Sequence, residues 1–255
     1  MNAVLELDDV AIRFGGVQAV GGVSLAVEAG DFVGLIGPNG AGKTTLIKIV
    51  AGLLSPDRGT IRLRGVDVTR DATAMRVRRG LALTHQIVRP FRAMTVLDNV
   101  VLAAGYHRTS SPFRAMLHVG RRRERERAAS ILALVGLGGT ERKLAGALPL
   151  GQMKRLEVAR ALAVDPTIIL LDEPLAGLNQ TEAAKQVATI FEVHQRGVTV
   201  VLVEHNLEEV MRICRRLIVL NNGLLIGDGA PREVMADPVV HDAYVGGGMV
   251  SHAEA

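Results

Sequence analysis

Apolar and polar residues alternate through residues 4–14 (VLELDDVAIRF) and again through 22–30 (GVSLAVEAG), with glycine turns bounding the runs. A two-residue period marks half-buried strands, so a small antiparallel β region opens the chain. Three later runs behave differently. FVGLIG (32–37), TIILLDE (167–173) and VTVVLVEH (198–205) are apolar almost throughout. They have strand length, and strands without alternation are buried on both faces, as in a parallel sheet covered by helices. A short strand is predicted at GTIRLRG (59–65), and LIVLNNGLLIG (217–227) reads as a hairpin around Asn-Gly.

Helical spacing fills the intervals. A helix is predicted from about Lys43, another over 181–195, and a third after His205. From about Gln86 to Pro166 the texture becomes helices and loops. TVLDNVVLAA (95–104) has Thr95 as N-cap with Asp98 three residues on, a capping-box pattern with Asp in place of Glu. RRRERERAASILALVGL (121–137) is a charged, then apolar helix; its mixed-sign run reads as a solvated face with Arg122 and Glu126 one turn apart. The expected organisation is one α/β domain over 1–255. Residues 1–86 and 166–230 form the core with its β subdomain, 87–165 a helical insertion, and 231–255 a C-terminal tail.

The chain's 255 residues, 48% of them hydrophobic, suffice for such a core and a smaller lobe. A net charge of +4 suits nucleotides or anionic headgroups. Aromatic content of 3% argues against a surface that stacks nucleic-acid bases. The single cysteine, Cys214, cannot form an internal disulfide and fits a reducing compartment. No stretch has the length of a membrane span, and the acidic start MNAVLELDDV lacks signal-peptide character.

The first chemistry-bearing motif is GPNGAGKTT: Gly37, Pro38, Asn39, Gly40, Ala41, Gly42, Lys43, Thr44 and Thr45. It fits G-x-x-x-x-G-K-[ST] between a predicted strand and a predicted helix, the context that separates a phosphate loop from an ordinary glycine turn. Its N–H groups are expected to face phosphate oxygens at a helix start. Lys43 would reach the β and γ phosphates, the Thr44 hydroxyl would hold Mg²⁺, and Thr45 would meet the α phosphate. TIILLDEP then sets Asp172 and Glu173 at a strand's C-terminal end, where open α/β sheets bind ligands. An Asp-Glu pair alone is an unremarkable strand end. Beside a phosphate loop, Asp172 becomes a Mg²⁺ ligand through water and Glu173 the group that polarises the attacking water. His205 ends another strand, placed to donate a hydrogen bond to the γ phosphate. His107, His118, His194, His241 and His252 lack such a setting and read as surface residues.

One further stretch, ALPLGQMKRLEVARAL (147–162), begins a helix with proline and glycine at its mouth and carries no nucleophile. The start of a helix is an anion site, and Pro149 is tolerated there because first-turn N–H groups are unbonded anyway. Gly151 allows close approach. Since the phosphate loop already surrounds this chain's own nucleotide, the second helix start is expected to cap the γ phosphate bound by another copy, head to tail.

In this combination and order the chain resembles the ATP-binding subunits of ABC transporters. GPNGAGKTT, Gln86, Leu148-Pro149-Leu150-Gly151-Gln152, LLDEP, Ala176-Gly177-Leu178-Asn179 and His205 all occupy matching places. Gln152 to Asp172 spans 20 positions and Asp172 to His205 spans 33, as in that family. Phe14 stands 29 positions before Lys43, where the family keeps an aromatic that stacks on adenine. The resemblance implies a P-loop NTPase core of RecA-like type, a mostly parallel sheet with helices on both faces, plus the antiparallel β and helical subdomains. It implies an ATPase using ATP and Mg²⁺, with two subunits sandwiching two nucleotides. Residues 148–152 would be the signature that meets the partner's ATP, and residues 176–179 the D-loop at the seam. Gln86 would contact Mg²⁺ and the attacking water. Residues near 87–107 would dock a membrane permease.

Further likenesses (FGGVQAV, MTVLDNVVLAA, EPLAGLN, VEHN, DAYVG) are to the ATPase of branched-chain amino acid importers, specifically the member with the longer helical insertion. Expected partners are a like or unlike second ATPase, integral-membrane permeases and, indirectly, a solute-binding protein, with no nucleic acid. The expected location is the cytoplasmic face of the inner or plasma membrane. The rival readings are an exporter ATPase of the lipopolysaccharide type and a soluble ABC ATPase acting on nucleic acid or ribosomes; the latter expects tandem domains, a coiled coil or a zinc insertion. Two departures stand out. Pro149-Leu150 replaces the Ser-Gly of the family's Leu-Ser-Gly-Gly-Gln, and loss of the serine hydrogen bond would cost about 1.5–3 kcal/mol of closed-dimer stability. His85 stands where relatives place Phe.

Overall fold

A computed structural model covers the chain, and the structure describes residues 3–84, 90–105 and 122–248. These residues form two compact units. One comprises Met1–Arg76, Leu170–Glu173 and Thr199–Ala255; the other comprises Val77–Ile169 and Pro174–Val198.

The first unit opens with β1 (Ala3–Phe14) and β2 (Val17–Glu28), a hairpin turned by Gly15 and Gly16 at positive φ. With β3 (Phe32–Ile36), α1 (Lys43–Val50), β4 (Arg58–Leu63) and β5 (Val66–Asp67), the chain makes its first layers. The antiparallel sheet runs β2-β1-β4-β5. After α2 (Thr73–Arg78), the later parts of the unit are β8 (Thr199–Val203), α7 (Leu207–Ile213), β9 (Arg216–Asn221) and β10 (Leu224–Gly229). β3 lies parallel to both β8 and β9, and β9–β10 is the antiparallel Asn222-Gly223 hairpin, both turn residues at positive φ. That is the turn geometry Asn-Gly favours.

Every residue of β3 and β8 is buried, as is every residue of β7 (Ile168–Asp172). The unbroken apolar runs are therefore strands enclosed on both faces. Leu5, Leu7 and Val27 from the antiparallel sheet, Leu46 and Ile47 from α1, and Leu35, Leu170 and Val201 from the parallel strands line one apolar core. α1 sits between two sheets, held by contacts on both sides. The end of the chain, expected only as a tail, forms α8 (Pro231–Ala236) and α9 (Pro238–Gly248), with Val234 and Val240 buried. Its short, proline-started segments carry too few turns for a periodicity to emerge.

The second unit holds β6 (Leu81–Thr84), α3 (Val96–Ala104), α4 (Arg122–Leu134), a 3₁₀ turn (Ala145–Ala147), α5 (Leu150–Leu162) and α6 (Gln180–Gln195). β6 lies beside the start of β7, where Thr167 and Ile168 donate backbone hydrogen bonds to Gly80. Neither α2 nor β6 follows from the sequence pattern; both are six residues or fewer. Thr95 caps α3 as expected, its hydroxyl accepting from Asp98 N–H at 3.0 Å. Asn99, fully enclosed, secures the preceding loop through hydrogen bonds to Phe91 and Thr95. Arg122 and Glu126 pair at 2.8 Å on an exposed face of α4. α3 packs on α4 and α5, and α5 on α6.

Candidate active site

The phosphate loop follows β3, whose burial fixes where the loop begins. Gly37 leaves the strand at φ 147°, and a Cβ there would stand 2.0 Å from the Leu220 carbonyl oxygen. Gly42 is the N-cap of α1 at φ 100°, and its Cβ would meet the Ala19 carbonyl at 2.4 Å. Both positions admit only glycine, since a side chain would be strained by conformation and blocked by backbone. The β9–β10 turn braces the loop: Gly223 N–H donates to Ala41 O at 3.0 Å, and Gly21 N–H donates to Gly223 O at 2.8 Å. The ladder of α1 starts with Leu46 N–H to Gly42 O at 2.8 Å. The N–H groups of Lys43, Thr44 and Thr45 lie ahead of it, at the positive end of the helix.

Lys43 is buried and turns its ammonium back over the loop, donating to Gly37 O at 2.7 Å and Pro38 O at 2.9 Å. Burial lowers its pKa; the negative charges of Glu173 and Asp172 oppose that shift. The two carboxylates thus lie within electrostatic reach of the lysine, as the sequence predicts. Asp172 is buried at the end of β7. Glu173 takes φ 49°, in the left-handed region, with its N–H donating to Val203 O at 3.0 Å. A non-glycine residue held there stores roughly 1–3 kcal/mol of strain, the kind of backbone found where a side chain must be aimed. β8 ends at Val203 and is followed by buried Glu204 and exposed His205, whose Nδ1 lies 3.9 Å from the Glu204 carboxylate. Phe14, at the end of β1, is 46% exposed. Gln86 and His85, like His107, His118 and His252, lie outside the described residues.

Hard oxygen donors are what Mg²⁺ selects, and it normally takes one or two from protein and the rest from phosphate and water. The Asp172 carboxylate and Thr44 hydroxyl fit that demand. Among the described residues, no three His, Cys, Asp or Glu side chains group as a cage of their own.

Two nearby features escape sequence reasoning. Tyr244 on α9 is half-buried, with the Gly37 N–H directed at its hydroxyl, and burial pushes its pKa up to about 12. Cys214 is buried and its thiol likewise pushed up to about 12, an unreactive core residue. Tyr244 is 207 positions from Gly37, so no local spacing could connect them.

In the second unit, the stretch expected to be the signature leaves the 3₁₀ turn at buried Leu148. Pro149 is the N-cap of α5, accepting from Met153 N–H at 2.9 Å. The Leu150, Gly151 and Gln152 N–H groups lie ahead of the α5 ladder. Leu150 is 40% exposed, and its Cδ2 would stand 3.2 Å from a Cβ at Gly177. Ala176, Gly177 (φ 74°), Leu178 and Asn179 lead into α6, where the Asn179 side chain accepts from Glu182 N–H at 2.9 Å. Asn179 is therefore an N-cap, a task Asn and Asp perform equally well.

A phosphate loop at the C-terminal edge of a buried parallel sheet, facing two strand-end carboxylates, defines an α/β nucleoside triphosphatase. Residues 20–176 match the ABC transporter family, and the chain belongs to it; it is an ATPase of the ATP-binding-subunit type. The high-affinity branched-chain amino acid transport ATP-binding protein BraF of Pseudomonas aeruginosa is 39% identical over 249 residues, covering 95% of this chain and 98% of that one. The lipopolysaccharide export system ATP-binding protein LptB of Acidithiobacillus ferridurans is 39% identical over 225 residues, 88% of this chain and 89% of that one. A crystal structure of the ADP conformation of an ABC transporter's ATP-binding cassette superposes with TM-score 0.84 at 31% identity, covering 96% of this chain and all of that one. The expected fold is thereby established, and no described helix is long and apolar enough to cross a membrane.

Proposed function

We propose that this chain is the motor subunit of a branched-chain amino acid importer. It binds MgATP between two ATPase subunits and works from the cytoplasmic face of the membrane on permease partners. The observation that carries the chemistry is the convergence of Lys43, Asp172 and Glu173 on one braced phosphate loop. The loop N–H groups and Lys43 bind the β and γ phosphates, Thr45 meets the α phosphate, and Phe14 offers its exposed ring to adenine. Thr44 and Asp172 would hold Mg²⁺, which when bound would neutralise phosphate charge. Glu173, aimed by its left-handed backbone, accepts a proton from the attacking water, and His205 donates to the γ phosphate. Gln86 completes the water site, and residues 148–152 and 176–179 serve the nucleotide of the second subunit. Import is favoured by the match to BraF, which runs nearly end to end over both chains.

Glu173→Gln keeps the shape and removes the base. It should bind MgATP, lose about 10²–10⁴-fold in hydrolysis, and accumulate an ATP-dependent dimer by size exclusion. Normal turnover in this variant refutes Glu173 as the base. The lipopolysaccharide-export reading is supported by the shorter LptB match, and isolation of the membrane complex separates the two: importer permeases of the amino acid type are expected.

A further inference from the structure

The first turns of α5 and α6 meet at a partly buried polar contact. A Cβ on Gly151 would stand 2.1 Å from Glu182 Oε2, so the Glu182 carboxylate occupies the place where any other residue at 151 would put its side chain. That carboxylate faces Arg155, one turn further along α5, at 3.7 Å, and Lys185 on α6 at 3.5 Å. The Arg155 side chain is only 8% exposed. Just above on the same contact, Leu150 touches Gly177. Leu150 and Gly151 belong to the signature stretch. Gly177 belongs to the D-loop, and Glu182 lies three residues after it ends, tied to Asn179 through the N-cap. Two segments expected to meet a partner's nucleotide are thus joined to each other within one unit.

This contact is poorly suited to stabilising the fold. Arg155 Nε, Glu182 Oε2 and both amide atoms of the buried Gln186 on α6 are enclosed without hydrogen-bond partners. An ion pair taken out of water with bonds unmade contributes little net stability. What it does is orient: the carboxylate lies against Gly151 and within ion-pair distance of Arg155, which ties the α5 start to α6.

We infer that Glu182 and Arg155 are positioning residues, an ion pair that sets the signature start against the D-loop so both engage the partner's nucleotide together. The inference rests on the two-subunit reading above. A signature helix held in place has its N–H groups aimed before the γ phosphate arrives, and the ordering cost is not incurred at closure.

The test uses the full chain in the Glu173→Gln background, reading the ATP concentration for half-maximal dimer formation. Glu182→Gln should raise that midpoint about tenfold while MgATP binding by dilute monomer stays at the parent value; the unfolding temperature falls, because Arg155 is left buried without its counter-charge. In an Arg155→Gln background, Glu182→Gln should add nothing further, because Glu182 acts through Arg155. Should Glu182→Gln fold poorly, Glu182→Asp substitutes for it: the charge is kept, the reach to Gly151 is lost, and the midpoint still rises. A parent-like midpoint in a folded Glu182 variant, or additive effects of the two substitutions, overturns the inference. If the Glu173→Gln parent forms no ATP-dependent dimer at all, the two-subunit reading itself is refuted, and this one with it.

Discussion

Lys43 holds a positive charge where burial works against it. Its counter-charges are Asp172 and Glu173, and its hydrogen bonds go to two carbonyls of its own loop. That arrangement keeps a cation aimed into a cradle of N–H groups. Lys43→Ala should keep its fold, because the loop is braced independently through Gly223 and Gly21. It should lose ATP affinity by about 1.5–3 kcal/mol, roughly ten- to hundredfold, the worth of a charged hydrogen bond. Equilibrium dialysis with radiolabelled ATP measures this, and wild-type affinity in the variant defeats the phosphate-loop assignment. The residues of this site were legible because their backbone demands are local. Gly37 and Gly42 need conformations only glycine adopts, and strand, loop and helix follow without interruption. Glu182 was not legible. In sequence it is one acidic residue in a helix's first turn, and only packing brings it to Gly151, 31 positions away.

At the scale of elements, α1 is held at both ends. Its start carries the phosphate loop, and its finish is capped by Arg76, which is 1% exposed. The Arg76 guanidinium donates to Ile49 O at 2.7 Å and Val50 O at 2.8 Å, and to Asp71 O and Thr69 O at 3.0 Å. A cation there meets the negative end of the helix dipole and adds a donor to Ile49 O, which also accepts from Gly52 N–H at 3.0 Å, and to Val50 O. Arg76→Ala leaves these acceptors buried and a cavity behind, and should cost about 3 kcal/mol, read as a lower urea midpoint. An unchanged midpoint would show that water satisfies the same carbonyls. In sequence Arg76 is one of several arginines in MRVRR and reads as a surface charge. Long periodic elements such as α6 and the all-apolar strands were predictable, because many residues repeat the same burial choice. α2, β6, α8 and α9 were not, since a few residues of pattern carry little weight against tertiary contacts.

At the scale of the whole molecule, the described residues include a glycine-rich loop at the start of α1 and, in the other unit, the helix start at Leu150. If each serves a different nucleotide, hydrolysis requires two copies. Turnover per subunit should therefore rise with protein concentration and fall toward zero on dilution, at saturating MgATP. A rate per subunit independent of concentration, in material shown to be monomeric, contradicts this.

The long strands and helices, the glycine-rich loop after β3, the carboxylates at the end of β7 and the family were all written in short stretches of sequence. Each depends on backbone conformation or burial period within a few residues. The contacts of Arg76 with α1, Tyr244 with Gly37, and Glu182 with Gly151 and Arg155 came only from the folded chain. They join residues from 26 to 207 positions apart. Side chains of ordinary type acquire such roles from the neighbours that packing supplies, and no local pattern encodes which neighbours those are.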